Sequence, residues 1–339
     1  MHQIAEELSD YDLFFTPYYG DFLLTLARRL NLAEFTIMGR KLSSRCIEYL
    51  KRHELPLDVE GRSHDYDLIL TCSDLVVPKN ILGKRIVLVQ EGMTDPENLM
   101  YHIVKRIPIL PRWLASTAAT GLSNAFSVFC VASKGYREVF IRKGVKPEKI
   151  VVTGIPNFDN CQRFRNNTFP FREFVLVCTS DTRETFKLDN RRRFIEKAVS
   201  IAAGRQLIFK LHPNENAERS KREIHALAPQ ALIYTEGSAE EMIANCDVLV
   251  TQYSSVAFVG LALGKTVHSY FDGQDLSRLM PIQNNCAAKN IATVCRGILG
   301  TVEARECRRS RADRGSVGQA ISGSYAYENA CCNSGQDEL

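Results

Sequence analysis

Short apolar runs recur along the chain, continuous rather than alternating, and stretches with helical spacing separate them. DLFFT (12–16), EFTIM (34–38), DLILTC (67–72), RIVLVQ (85–90), SVFCVA (127–132) and KIVVTG (149–154) form one series. EFVLVCTS (173–180), QLIFKLHP (206–213), ALIYTE (231–236), DVLVTQ (247–252) and TVHSYF (266–271) form a second. Strands buried on both faces read this way, because helices cover both sides of a parallel sheet. Between the runs, YGDFLLTLARRL (19–30), SSRCIEYLKRH (43–53), NRRRFIEKAVSIAAG (190–204) and SAEEMIANC (238–246) have helical character. This βα alternation predicts an α/β fold with doubly wound sheets.

Between the two series lies IPNFDNCQRFRNNTFP (155–170), whose Pro and Asn content predicts a linker. The expected organisation is a Rossmann-like domain over 1–155, a second over 156–300, and a ligand cleft between them at the carboxyl ends of the strands. Both ends depart from the pattern. The first element is a helix, HQIAEEL, and the first strand-like run comes only at residue 12, so the first domain is expected to lack its opening strand or the chain to be truncated. From 301 to 339 the residues lose both periods and are poor in large aliphatics, which predicts a disordered tail.

Charge and cysteine content narrow the function classes. The formal net charge of +4 over 339 residues is too small to argue for nucleic acid. The eleven cysteines contain no C-x-x-C pair, so neither a zinc ribbon nor a thioredoxin-like site is supported, and buried thiols in a reducing compartment are the simplest reading. MHQIAEELSD has no apolar leader core. The expected location is the cytoplasm, with a peripheral position on the inner face of the membrane. GLALGKT (260–266) is one residue short of a P-loop, and RRRF (191–194) reads as a solvated helix face.

Chemistry concentrates at two strand ends of the second series. Lys210-Leu211-His212-Pro213 closes one strand, and Thr251-Gln252-Tyr253-Ser254-Ser255 closes another and leads into the helical VAFVGLALG. Hydroxyls at a strand-to-helix turn suit phosphate, because the helix N-terminus offers free N–H groups and the positive end of its dipole. The same serines equally suit simple helix capping.

These motifs carry a resemblance. KLHP followed by DVLVTQYSSVAFVGLALGKTVHSYFD resembles the C-terminal domain of GT-B-fold transferases, above all CDP-glycerol:poly(glycerophosphate) glycerophosphotransferases and related capsule-polysaccharide enzymes. GYREVFIRKGVKPEKIVVTGIPNFD (135–159) resembles their inter-domain segment. The resemblance implies transfer of a glycosyl or glycerophosphoryl group from a UDP- or CDP-linked donor to a cell-envelope or capsule glycan or a lipid-linked acceptor, without a metal or other cofactor. His212 would face the donor diphosphate with Lys210 and Pro213 beside it. Thr251, Ser254 and Ser255 would hold donor phosphate, and Gly154 and Pro156 would shape the hinge. The family pattern has Asp where this chain has Gln252, and a later Asp where it has Val259.

UDP-N-acetylglucosamine 2-epimerases are a more distant likeness. Their loop D-S-G-G-x-Q-E-E, laid on TQYSSVAFVG, puts Phe258 and Val259 at the two glutamates, so the epimerase carboxylate is missing. A catalytically inactive binding module of the same fold is the third reading.

In the first series, RIVLVQEGMTDPE ends its strand at Gln90 and presents Glu91 and Gly92 toward the expected cleft. The glycerophosphotransferases have a His-Gly-Thr motif there, so Glu91 would be the base. A carboxylate can serve if partial burial lifts its pKa. Asp95 is the alternative carboxylate. YHIVKRIPILPRWLA (101–115) mixes Lys105, Arg106 and Arg112 with apolar residues and the single Trp, which suits a lipid interface or ordinary helix packing.

Overall fold

The computed structural model describes residues 1–17, 19, 40–180, 182–184 and 189–312, with backbone alone at 40–42 and 301–312. EFTIM and all of YGDFLLTLARRL except Tyr19 lie outside the described residues. A short helix α1 (His2–Glu6) and α2 (Arg40–Arg52) precede the first sheet. Its strands are β1 (Ile69–Thr71), β2 (Ile86–Val89), β3 (Val128–Val131) and β4 (Ile150–Val152), all parallel and in sequence order. Helix α3 (Leu99–Arg106) lies between β2 and β3, and α4 (Lys134–Lys143) between β3 and β4. The continuous run IVLV is buried at every position, as a strand covered on both faces requires.

DLFFT does not form a strand. Among the described residues only Phe15 pairs, in a single parallel bridge to Leu57. Exposure alternates along 12–16, and Phe14 stands 40 % exposed against His64 with ring centroids 4.5 Å apart.

The second sheet contains β5 (Val175–Cys178), β6 (Leu207–Lys210), β7 (Leu232–Tyr234), β8 (Val248–Thr251) and β9 (Thr266–His268). All are parallel, in the order β7-β6-β5-β8-β9. The chain first winds from β5 toward β7 and then restarts on the other side of β5, so the topological switch point lies between β5 and β8. Helices α5 (Arg191–Ala202), α6 (Ala217–Leu227), α7 (Ala239–Asn245) and α8 (Val256–Ala262) connect the strands. The first three begin at Asn190, Asn216 and Ser238, whose side chains accept an N–H from the first turn. Gly260 lets α8 approach the sheet: a Cβ there would stand 2.8 Å from Val267 and 2.9 Å from Leu249.

Segment 155–170 joins the two sheets, and its first half is packed rather than solvated. Ile155, Pro156, Phe158, Asp159 and Cys161 are all buried. Asp159 explains why. Its carboxylate accepts the N–H groups of Asn284 (2.8 Å), Asn285 (2.6 Å) and Ala287 (2.8 Å). These are the entry to α10 (Ala287–Ala312), so a residue remote in sequence caps that helix. The chain after β9 returns to the first sheet through α9 (Gly273–Leu279) and α10. Ser133 Oγ donates to Leu279 O (3.1 Å), Ile282 N–H to Ala132 O (3.1 Å) and Asn290 Nδ2 to Thr153 O (3.1 Å). Gly135 permits the contact, since a Cβ there would stand 2.0 Å from Arg278 O.

The backbone of α10 runs on to Ala312. EARECRR is rich in good helix formers, which sustain a helix without an apolar face. Residues 313–339 lie outside the described residues. Eight cysteines among the described residues are free, five of them buried, and burial pushes the Cys130 thiol up to about 12.

Replacing the carboxylate that closes this return is expected to be costly. Asp159→Ala leaves three N–H groups without their acceptor and should lower unfolding free energy by about 3 kcal/mol in a urea titration.

Candidate functional site

Of the strand ends singled out in sequence, the Glu91–Gly92 turn of the first sheet and the Ser254–Ser255 turn of the second come together. Gln90 at the end of β2 is buried; its Oε1 accepts the Ala132 N–H (2.9 Å) and its Nε2 donates to Gly92 O (2.8 Å). That pins the Glu91–Gly92 turn to β3. Asn157 Nδ2 donates to Glu91 O (3.0 Å) from the hinge. A Cβ built on Gly92 would stand 3.5 Å from the Phe158 ring and 3.9 Å from Ser255 Cβ. The Glu91–Gly92 turn therefore faces the entry to α8, where Ser254 and Ser255 are part-exposed. Ser255 occupies the N-cap position of α8 but its hydroxyl makes no capping bond.

Glu91 is exposed, and partial desolvation by the protein around it pushes its carboxyl above the usual carboxylate range. Asp95 is committed elsewhere: it accepts from Thr117 Oγ1 (3.0 Å), and its own N–H donates to that hydroxyl (2.8 Å).

His212 lies part-buried just beyond β6. Its N–H donates to Thr179 Oγ1 (3.1 Å) and to Glu215 (3.2 Å). Asn214 N–H donates to His212 Nδ1 (3.3 Å), so the neutral ring carries its proton on Nε2. Lys210 is buried, its ammonium donating to Leu211 O (3.0 Å) and Thr235 O (3.2 Å), and burial lowers its pKa. Thr251 is buried with its hydroxyl on Cys178 O (3.1 Å), and Pro213 is exposed. Gly154 adopts φ +75° and packs on α10, where a Cβ would stand 3.2 Å from Ala287 Cβ, and Pro156 is buried beside it.

Beneath the strand ends runs a buried polar network that the sequence did not announce. Glu215 is fully buried and pairs with Arg191 Nη2 (2.7 Å). Arg191 Nε pairs with Asp189 (3.0 Å), whose other oxygen accepts from Gln252 Nε2 (2.7 Å). Gln252 Oε1 in turn accepts from Ser180 Oγ (2.7 Å), and Thr179 donates to Glu215. The expectation of a solvated arginine run is thereby corrected in part. Arg192 and Arg193 are exposed, but Arg191 is 5 % exposed and holds the ends of β5 and β6 together.

A cavity of about 330 Å³ opens at the switch point, lined by Asp189, Asn190, Arg193, Lys197, Gln252, Tyr253 and Tyr270 among others. Tyr253 and Tyr270 meet edge to face at 5.6 Å. None of the site residues expected from sequence lines this cavity, which adjoins them through Tyr253.

The network makes Gln252 specific. Its amide donates to one carboxylate and accepts from one hydroxyl, which a carboxylate in its place cannot do while ionised. Gln252→Glu is expected to destabilise by about 3 kcal/mol at neutral pH, from two buried like charges. Once protonated, the introduced carboxyl can still donate to Asp189, so thermal melts of the variant should show the loss shrinking as pH falls and growing as it rises.

No protein-family model matches the chain, and no curated protein sequence matches it. Solved structures do. The UDP-GlcNAc 2-epimerase from Neisseria meningitidis, determined with UDP-GlcNAc bound, is similar at 11 % identity over 87 % of this chain and 95 % of that one, with a TM-score of 0.52. The Methanocaldococcus jannaschii UDP-GlcNAc 2-epimerase, in complex with UDP-GlcNAc and UDP, is similar at 12 % identity over 88 % of each chain, with a TM-score of 0.46. The wall teichoic acid polymerase TagF is similar at 12 % identity over 67 % of this chain and 72 % of that one, with a TM-score of 0.44. At such identities the likeness speaks to the fold alone. The chain has a GT-B-like α/β fold, built on two parallel Rossmann-like sheets.

Proposed function

We propose that the protein binds a nucleotide-activated donor, UDP- or CDP-linked, and transfers its glycosyl or glycerophosphoryl group to the hydroxyl of a glycan or lipid-linked acceptor of the cell envelope. The acceptor side is assigned to residues 1–155 and the donor side to 156–300. The observation that carries this reading is the approach of the Glu91–Gly92 turn to the Ser254–Ser255 turn, with 3.9 Å between Ser255 Cβ and a Cβ built on Gly92. A carboxylate of raised pKa then shares a cleft with unused hydroxyls at a helix start.

In this reading His212 Nε2–H and the serine hydroxyls hydrogen-bond the donor phosphates and stabilise the charge that develops as the nucleotide leaves. Lys210 and Thr251 hold the strand ends that present them. Glu91 takes the proton of the acceptor hydroxyl as its oxygen attacks. In glycosyl transfer the bond from the anomeric carbon to phosphate oxygen breaks and a nucleoside diphosphate leaves. In glycerophosphoryl transfer the pyrophosphate bond breaks and CMP leaves. Phe258 and Val259 are buried, Phe258 against Tyr136 and Phe158, so the positions that hold the epimerase glutamates are apolar here. That favours transfer over epimerisation.

Calorimetric titration with UDP, CDP, GDP and CMP tests the donor site. One nucleotide is expected to bind selectively, and His212→Ala to weaken it at least about tenfold. A folded wild-type protein that binds none of them overturns the reading.

Glu91→Gln is expected to keep nucleotide binding and lose about 10²–10⁴-fold in turnover. The base works only when ionised. Because its folded pKa is raised, wild-type turnover should climb with pH through a value above the usual carboxylate range, and the Glu91→Gln profile should lack that limb.

A further inference from the structure

The cavity at the switch point is lined by none of the residues assigned to nucleotide or acceptor, and its walls have a chemistry of their own. Tyr253, after β8, and Tyr270, after β9, form one wall. They stand 49 % and 40 % exposed, yet both rings are held in place. Phe271 meets Tyr253 edge to face at 4.9 Å, and Phe194, buried on α5, meets Tyr270 in the same way at 6.1 Å. Exposed rings fixed by their neighbours lose little freedom when a ligand arrives. The two tyrosine planes lie at 81° to each other. They make a corner and not a parallel slot, so a flat base cannot stack between them. A sugar ring suits a corner, because its C–H groups rest on an aromatic face while its hydroxyls reach the phenol O–H groups.

The other wall is cationic. Arg193 and Lys197 follow at four-residue spacing on the exposed side of α5, and both line the cavity. Lys197 Nζ stands 5.8 Å from the Tyr270 ring centroid, which ties the ammonium to the aromatic wall. Among the described residues neither cation makes an ion pair, and Glu196, the one acid of α5, is taken by Arg192 at 2.9 Å. The acid in the lining is also spent. Asp189 is fully buried at its side chain, one oxygen pairing with Arg191 Nε (3.0 Å) and the other accepting from Gln252 Nε2 (2.7 Å). Asn190 Oδ1 accepts the Arg193 N–H (3.0 Å), which leaves its amide N–H groups as further donors. Two cations without carboxylate partners, with a donor between the walls, call for an anion of several oxygens, and phosphate meets both the guanidinium fork and the ammonium point charge. The volume of about 330 Å³ is at the small end of ligand pockets and suits one monosaccharide unit.

We infer that the switch-point cavity is a binding site for a sugar phosphate, with the ring against Tyr253 and Tyr270 and the phosphate on Arg193 and Lys197. None of these four residues serves in the nucleotide reading, so the site stands whether or not that reading does.

Calorimetric titration of the full chain with glucose 6-phosphate, glucose and inorganic phosphate tests it. Glucose 6-phosphate is expected to bind at least about tenfold more tightly than either fragment, since ring and phosphate meet separate walls. Arg193→Ala/Lys197→Ala should weaken it at least about tenfold, and Tyr270→Ala at least about threefold. All three side chains are exposed, and circular dichroism checks that the variants stay folded. His212→Ala should weaken the nucleotide and leave glucose 6-phosphate binding unchanged, so the two sites can fail separately. Maltotetraose phosphorylated on its terminal glucose distinguishes the sources of the ligand: binding as tight as glucose 6-phosphate identifies the end of a glycan, and weaker binding the free sugar phosphate. Absence of glucose 6-phosphate binding overturns the inference, as does binding that the Arg193→Ala/Lys197→Ala or Tyr270→Ala variant leaves unchanged. Loss of glucose 6-phosphate binding in His212→Ala also overturns it, because the ligand would then lie at the donor phosphates.

Discussion

The carboxylate of Asp159 is the constraint on which the rest of the arrangement depends. It sits in the segment that leads from the first sheet to the second and gathers the three backbone N–H groups that open α10. With that closure the chain after β9 is returned to the first sheet, and Gly135, Ser133, Ala132 and Thr153 receive it. The same hinge carries Asn157, which holds Glu91 O, and Phe158, whose ring backs Gly92. The placement of the Glu91–Gly92 turn against the start of α8 thus follows from a capping interaction that has no chemistry of its own.

The strand ends obey a second constraint, the pairing of buried charge, in which Arg183 also stands 3.6 Å from Asp189 and 3.9 Å from Glu215. Three elements bring Asp189, Arg191, Glu215 and Gln252 below the turns that carry His212 and Tyr253. A buried ion pair contributes little net stability, but each missing member leaves a costly charge. Where the glycerophosphotransferase pattern has an acid, this chain has Gln252, and Asp189 already provides the carboxylate that Gln252 contacts. The substitution is coherent with its surroundings.

Much of the fold was legible because buried parallel strands are written as unbroken apolar runs; IVLV, VLVC and VLVT are clear for that reason. DLFFT misled because two adjacent phenylalanines look like a buried strand, whereas one faces out. The meeting of Glu91–Gly92 with Ser254–Ser255 followed from the rule that ligands gather at carboxyl ends of strands. Asp159 was illegible, since its partners lie 125 to 128 residues away and no local signal marks a distant cap. Arg191 was hidden among identical neighbours, and only helix phase and a partner from another loop decide which arginine of the three turns inward. The cavity beside Tyr253 is drawn from three separate loops and the first turns of α5, none distinctive alone.

The returning segment also sets a schedule for synthesis. At about 5–20 residues per second, the 125 residues between Asp159 and Asn284 take the ribosome roughly 6–25 s to deliver. During that interval the first sheet is outside the ribosome with its last cover not yet made: the surface awaiting Ala287, Ile291, Ala292 and Cys295 is apolar and open, and these four are fully buried once they arrive. The second sheet has no such wait, because its helices follow their strands directly. The half that begins first therefore finishes last.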